Sequence, residues 1–490
     1  MKRLFFRQIA MLACAVSIGS ATTSAANPLD KRATAPRADI MGGTAQHQKK
    51  AAPYGYILMD AATGHILSQR NADDLFIPAS LSKIPTTLMT LSTLGTDQRF
   101  ETRLLAQGTV VGGVLQGDLH LVGSGDPSLR KQDIIGLVAK LQAAGVHAVS
   151  GRFTYDPSAL PRTAMIDKAQ PAGQSYNPPV SGLNVDLNLR VRNGRKHTVR
   201  EPGRLAARML RFFAHGQGIT LPAPTRSAQT ATGYEIAVHT SAPVAQITAR
   251  MMDRSTNLTA ESLGMLSAAS LGAKPTSLAA AAKVTSRWIK AEAGEIGGRG
   301  WRGFRMVNHS GLSTRSRATP RQIASILRLG YQRFGSTFTN LHKPNQPGGY
   351  QAYSLRGKFG TMQFVRGYGG FLTVGGKEMI FAIMTNDRRR RALADAGQTG
   401  LPSHAWMRKA RKLEQAVLGE WITALWSGDS ADTVQVASAP IAPTLSPVTV
   451  SHTANADPWN LARAEADQRF TVSMRGAQPT AYARTTSLVE

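Results

Sequence analysis

Cysteine is almost missing from this 490-residue chain; the single example is Cys14. It lies in an apolar N-terminal run that reads as removable, so the mature chain is expected to hold no disulfide and no thiolate metal site. The 11 histidines show neither a His-Glu-x-x-His nor a His-x₃-His spacing, which argues against a metal mechanism. No metal or other cofactor is expected. Acidic residues are also scarce. Thirty Asp and Glu face 58 Lys and Arg, for a net charge of +28. Such basicity suits a polyanionic surrounding. Nucleic acid meets the charge criterion, but no zinc-finger, RNP or basic-zipper pattern is present, and no nucleic-acid partner is expected. An anionic wall polymer or an outer-membrane surface fits equally, and dispersed charge that aids solubility is the plainer alternative. The N-terminal apolar run is too short to span a bilayer as a stable helix, so no transmembrane segment is expected.

What is present suffices for two or three domains, with an ordinary 42% of hydrophobic residues. Residues 1–26 read as a secretory signal: Lys2, Arg3 and Arg7, then an apolar stretch over 9–18, then Ser24-x-Ala26 as a cleavage site. This places the chain in the periplasm. Met11-Leu12-Ala13-Cys14 only weakly resembles a lipoprotein box. The polar, small residues of 27–51 suggest a linker. Residues 56–60 and 65–67, joined by a turn at 61–64, predict a β-hairpin. Strand-like runs follow at 101–106, 108–111, 115–122, 149–155 and 184–191, and helical spacing at 131–144 and 204–216. Residues 243–266 read as one helix, and 278–291 as another. Thr319-Pro320 has the look of an N-cap with proline at the first helical position. Three further strands are expected at 357–365, 369–374 and 379–384, the last two joined at Gly375-Gly376. A helix over 404–426 puts Leu413, Val417, Trp421 and Leu425 on one side. The class is therefore α/β in the α+β sense. An inserted α+β domain at 99–238 interrupts a main domain at 52–98 and 239–427, and a disordered tail follows at 428–490.

The stretch with chemical content is Ile77-Pro78-Ala79-Ser80-Leu81-Ser82-Lys83. On a helix, Ser80 and Lys83 share a face, and an amine beside a hydroxyl can take its proton and leave a nucleophile. Ser-x-x-Lys alone arises by chance in chains of this size. Pro85 also requires a helix that starts late or is kinked. Two more elements change the weighting: Ser255-Thr256-Asn257 and Lys358-Phe359-Gly360-Thr361. The set Ser-x-x-Lys, Ser-x-Asn and Lys-x-Gly is that of active-site serine penicillin-recognising enzymes.

Further stretches carry a closer resemblance. Leu119 through Leu129, with Gly123-Ser124-Gly125-Asp126-Pro127-Ser128, resembles a G-G-G-D-P-T-L run. Ser255 to Glu261 resembles S-x-N-x-x-A-E, and Ser310-Gly311-Leu312-Ser313 matches S-G-L-S. Over roughly residues 54–386 the chain resembles the class C low-molecular-mass penicillin-binding proteins, the D-alanyl-D-alanine carboxypeptidase/endopeptidase family. The resemblance implies a β-lactamase/DD-peptidase-like fold, with an antiparallel sheet flanked by helices. It implies peptidoglycan stem peptides as substrate and β-lactams as covalent inhibitors. It also implies roles: Ser80 as acylated nucleophile, Lys83 as its base, Ser255 as proton relay, Asn257 as a hold on substrate or Lys83, and Lys358 at the carboxylate site. Backbone N–H groups of Ser80 and Thr361, beside Gly360, would form the oxyanion hole, and Asp156 would face the site from the inserted domain.

Each residue has a plainer role available. Ser255 and Asn257 suit a helix cap, Lys358 an exposed strand position, Asp126 a turn, and Asp156 a surface turn before Pro157. One departure stands out: Phe359 occupies a position where the family places Thr or Ser, so a substrate-binding hydroxyl is missing and a ring is expected in its place. That leaves a degenerate penicillin-binding protein that holds cell wall with little catalysis as the alternative, with a β-lactamase or esterase third. Carboxypeptidase against endopeptidase preference and oligomeric state are not readable from the sequence.

Overall fold

The computed structural model describes residues 54–227, 231–345, 353–398 and 400–427. The stretches read as signal, linker and tail lie outside the described residues.

The main sheet has six antiparallel strands. In spatial order they are Lys343–Pro344, Tyr353–Met362, Val365–Val374, Lys377–Asn386, Tyr54–Asp60 and Ile66–Arg70. Among the described residues the first strand thus lies beside the last, with Tyr54 opposite Thr385 and Asp60 opposite Met379. Alternation sends Ile57 and Met59 to one face, and Tyr56 and Leu58 to the other. The first face carries a helical layer, in which Leu88, Leu263 and Ile323 pack with Phe371 and Ile380. The second is covered by the C-terminal helix Ser403–Ser427. Its Val417, Leu418, Trp421 and Ile422 are buried against Tyr56, Leu372 and Phe381, each worth about 1.5–3 kcal/mol of apolar burial. Leu413 and Leu425 flank that contact, as the sequence stripe predicts.

Other local expectations hold for visible reasons. Gly375 and Gly376 have φ of +55° and +77°, the geometry of a two-residue hairpin turn. Thr319 caps the helix Pro320–Phe334, accepting from Gln322 N at 3.1 Å while Gln322 Oε1 accepts from Thr319 N at 2.9 Å. Pro85 is accommodated because the α-helix begins only at Lys83. Its missing N–H is one of the first-turn donors that have no intrahelical acceptor.

A five-stranded sheet with its own core occupies the middle of the chain. Its order is Thr225–Arg226, Phe153–Asp156, Leu119–Val122, Glu101–Ala106 and Tyr234–Thr240. Helices Lys131–Ala143 and Pro202–Gly216 bury Ile134, Leu137, Leu205 and Leu210 with Leu104, Leu121 and Phe153. This second sheet is mixed, with Phe153–Asp156 parallel to both of its neighbours; an antiparallel main sheet and a separate mixed sheet, each flanked by helices, make the molecule α+β.

Four segments depart from the sequence reading. The run at 115–122 is split at Gly117, where a Cβ would lie 1.8 Å from Gln107 O; the strands are Val114–Gln116 and Leu119–Val122. The run at 149–155 likewise divides, into Ala148–Val149 and Phe153–Asp156. Residues 184–191 are not one strand. Asp186, Leu187 and Asn188 all have positive φ, from 50° to 57°, in a turn pinned by Asn188. Its Oδ1 accepts from Val185 N at 3.1 Å, and its Nδ2 donates to Pro179 O at 2.8 Å. Only Leu189–Arg192 is extended, paired with Arg195–Thr198 as a separate two-stranded ribbon. Residues 243–266 form two helices, Val244–Arg254 and Asn257–Ser270, because Ser255 is left-handed at φ 54°, ψ 36°.

Candidate active site

Ser80 lies in a 3-10 turn, Ala79–Ser82, that feeds directly into the helix Lys83–Leu94. Ala79 before it has φ +46°, a conformation that costs a non-glycine residue about 1–2 kcal/mol. Two glycines let neighbouring backbone close on this turn. At Gly311 a Cβ would meet Ala79 O at 1.7 Å, and at Gly360 it would meet Pro78 O at 2.5 Å and Leu81 N at 3.1 Å. The Ser310-Gly311 loop and the Lys358-Phe359-Gly360 strand therefore clamp the Ser80 turn from two sides.

Lys83 is fully buried. Its Nζ lies 3.2 Å from Ser80 Oγ, 2.7 Å from Asn257 Oδ1 and 2.8 Å from the Ser310 carbonyl oxygen. Asn257 Nδ2 donates to Tyr176 O at 2.8 Å, which fixes the amide with its oxygen toward the lysine. Burial holds the Lys83 amine well below its ordinary range, the Lys358 charge lowers it further, and Glu261 opposes. An amine that has given up its proton keeps two N–H groups and one lone pair; in that state the two carbonyl-type acceptors would take the two N–H groups and leave the lone pair for the Ser80 hydroxyl.

Lys358 is 5% exposed, and its Nζ donates to Phe359 O at 3.2 Å. Burial pulls it down to about 8; Asp253 opposes this and Lys343 adds to it. Ser255 sits between Asp253, whose charge bears on Lys358, and Asn257, which binds Lys83. Among the described residues its hydroxyl has no hydrogen bond to the other site groups. Ser80, Lys83 and Asn257 are thus joined directly, Lys358 joins through its charge and the Gly360 contact, and Ser255 stands in the break between them.

Asp156 is buried rather than on a surface turn. Its Oδ1 accepts from Ser158 N at 2.8 Å and its Oδ2 from Ala231 N at 3.4 Å, so its carboxylate closes a turn within the five-stranded unit. Phe359 holds a ring where the hydroxyl is missing, and that ring lies flat on Tyr368, centroids 4.0 Å apart at 9°, with the Arg366 guanidinium 5.2 Å above it. The substitution removes a hydroxyl, and Tyr368 accounts for the ring.

Two supporting groups, Glu261 and His309, stand behind the site. Glu261, fully buried, accepts from His309 N at 3.0 Å and Ser310 N at 2.8 Å. Burial pushes its carboxyl up, but the His309 and Ser310 contacts outweigh it and hold it below the ordinary range. His309 Nε2 meets Thr285 Oγ1 at 2.9 Å, while its Nδ1 faces Glu261 at 3.4 Å without an aligned hydrogen bond. Glu261 thereby pins the loop that presents the Ser310 carbonyl to Lys83. A backbone acceptor leaves no residue-type signal; the only trace was the glutamate four positions after Asn257.

An antiparallel sheet under a helical layer, with a buried lysine beside a serine at the helix start, defines the class of penicillin-binding DD-peptidase folds. The crystal structure of penicillin binding protein 4 from Haemophilus influenzae superposes with a TM-score of 0.59 at 18% identity, covering 68% of this chain and 90% of that one. The chain belongs to the D-Ala-D-Ala carboxypeptidase 3 (S13) family, whose pattern matches residues 38–195 and 191–401. It is 30% identical over 176 residues to the D-alanyl-D-alanine carboxypeptidase of Actinomadura sp. strain R39, covering 36% of this chain and 33% of that sequence. It is 28% identical over 366 residues to a carboxypeptidase of Mycobacterium tuberculosis, covering 67% of this chain and 75% of that one. The chain thus spans about a third of the first relative and three quarters of the second. Among the described residues no cluster of His, Cys, Asp and Glu could hold a metal ion, and no helix is long and apolar enough to cross a membrane.

Proposed function

We propose that the protein is a periplasmic serine D-alanyl-D-alanine carboxypeptidase/endopeptidase acting on peptidoglycan stem peptides. The observation that carries the reading is the bonding of Lys83: two fixed acceptors, a buried amine whose hold on its proton is weakened by burial, and the Ser80 hydroxyl on the remaining side. Lys83 takes the Ser80 proton as Oγ attacks the carbonyl carbon of the penultimate D-alanine. The resulting oxyanion is met by the backbone N–H groups of Ser80 and Thr361, a contribution of about 3–4 kcal/mol per donor in other hydrolases. Lys358 offers positive charge to the substrate's terminal carboxylate, and Ser255 relays a proton to the leaving amine. Water then releases the acyl group from Ser80. β-Lactams follow the first half of this course and remain attached. Asp156 contributes to substrate binding only through the turn it closes.

Intact-mass measurement after penicillin treatment tests the reading. The expected result is one adduct, absent from Ser80→Ala, together with D-alanine release from a pentapeptide muropeptide. An adduct that persists in Ser80→Ala refutes the assignment. A Ser80 adduct without peptide turnover, combined with salt-sensitive retention on wall sacculi, identifies the low-activity wall-binding alternative that the missing hydroxyl at 359 favours.

A further inference from the structure

The separate ribbon Leu189–Arg192/Arg195–Thr198 is costly to keep. An isolated two-stranded hairpin is marginal in water, and this one places Arg192 directly opposite Arg195, a like-charge pair that destabilises strand pairing. Alternation puts Arg190, Arg192 and Arg195 on one face, with His197 opposite Arg190. All are exposed, and among the described residues none of the three arginines has a carboxylate partner. The turn is Asn193-Gly194, with φ of 50° and 71°, which keeps the two arms in tight register.

Four residues after the ribbon begins the helix Pro202–Gly216. Arg204, Arg208 and His215 fall on one stripe of its exposed side, and Phe212 lies at the edge of that stripe. The only acid between 189 and 216 is Glu201, and it is paired with Arg162 at 2.7 Å. Two large apolar side chains stand in water inside this basic tract: Val191 at 69% exposure on the other ribbon face, and Phe212 at 72%. Cations alone would suit any polyanion. Phe212, exposed beside Arg208 and His215, gains only where an anionic surface has an apolar interior just beneath it, as a bilayer does and a hydrated glycan does not.

We infer that the ribbon and this helix form a docking surface for an anionic lipid bilayer, with the arginines on headgroup phosphates and Phe212 entering the interface. This surface is distinct from the Ser80 site and does not depend on that site's chemistry.

Co-sedimentation of the full-length protein with vesicles tests it. The protein is expected to pellet with phosphatidylcholine vesicles containing phosphatidylglycerol at about 0.15 M salt, less so as salt rises, and not with phosphatidylcholine alone. Replacing Arg190, Arg192 and Arg195 together by Ser is expected to weaken binding on the order of 100-fold. The corresponding triple Lys variant should retain it, and Phe212→Ser should weaken it about tenfold. Circular dichroism and the unfolding midpoint report on the fold of each variant. Should the Ser triple fail to fold, the Lys triple and Phe212→Ser decide. Equal pelleting with neutral vesicles, unchanged binding by folded variants, or retention on purified sacculi with none on vesicles overturns the inference.

Discussion

Gly311→Ala probes how Ser80 is held. Gly311 has φ +76°, and a Cβ there would fall 1.7 Å from Ala79 O and 2.8 Å from Ser82 Oγ. The left-handed backbone costs an alanine about 1 kcal/mol. Relieving the overlap adds about 1–3 kcal/mol of packing strain, so a loss of about 2–4 kcal/mol is expected in urea unfolding. The more telling effect is local. Ala79 is itself left-handed and is backed by Gly360 against Pro78, so either the Ser80 turn or the Ser310 loop must withdraw by roughly 1 Å or more. The first movement carries Ser80 Oγ off Lys83; the second takes away the Ser310 carbonyl. A displacement of that size costs on the order of 100-fold in rate. Acylation by a fluorescent penicillin, followed by gel at several concentrations, measures it. Gly112→Ala is the control: φ +53° and nothing within 4 Å of the new Cβ, hence about 1 kcal/mol of stability and an unchanged rate. If folded Gly311→Ala acylates as fast as the parent, the clamp described here does not position Ser80.

Lys358→Met removes a like charge from beside Lys83, so the Lys83 amine binds its proton more tightly and less of it is neutral near pH 7. The acid limb of the acylation pH profile should move to higher pH, a change that mere loss of substrate affinity would not produce. His342, buried and held near 4, takes up a proton near its ordinary 6.5 once unfolded. Its contribution is intact above pH 6.5 and is lost as pH falls from there through 4, by about 3 kcal/mol at the bottom of the window; denaturant unfolding at several pH values should show a slope that His342→Gln flattens. Arg366 and Glu414 form a two-bond pair at 2.9 and 2.8 Å, with side chains 9% and 5% exposed. Glu414→Ala should cost about 3–5 kcal/mol in unfolding free energy by leaving the arginine buried alone, whereas replacing both by Met and Leu should be close to neutral.

Elements written in local chemistry were legible in the sequence. Thr319-Pro320, Gly375-Gly376 and the Val417/Trp421 stripe each declare themselves within a few residues, and Ser80, Lys83 and Asn257 meet as their motifs suggest. What escaped depended on distant backbone. Ser255 interrupts an apolar helical pattern only because it turns left-handed, which no neighbour announces. The alternation at 184–191 mimics a strand, yet Asn188 satisfies backbone groups at Pro179 and Val185 and forces a turn. The third partner of Lys83 is a main-chain oxygen at Ser310, and any residue type supplies one. Phe359 was read for the hydroxyl it lacks; its stacking partner Tyr368 lies across a strand pair that periodicity alone cannot register.

The pairing of Tyr54 with Thr385 has a temporal meaning. These residues are about 330 positions apart, so the opening strand has no neighbour on that side until nearly the whole polypeptide exists, and closing so large a loop is slow. The hydroxyl at position 80 is made early, but the strand bearing Lys358 and the partner of Tyr54 are both made late. A fragment that stops before Lys358 therefore carries Ser80 and Lys83 but an incomplete site, and the sheet closes around them only when Tyr54 meets Thr385.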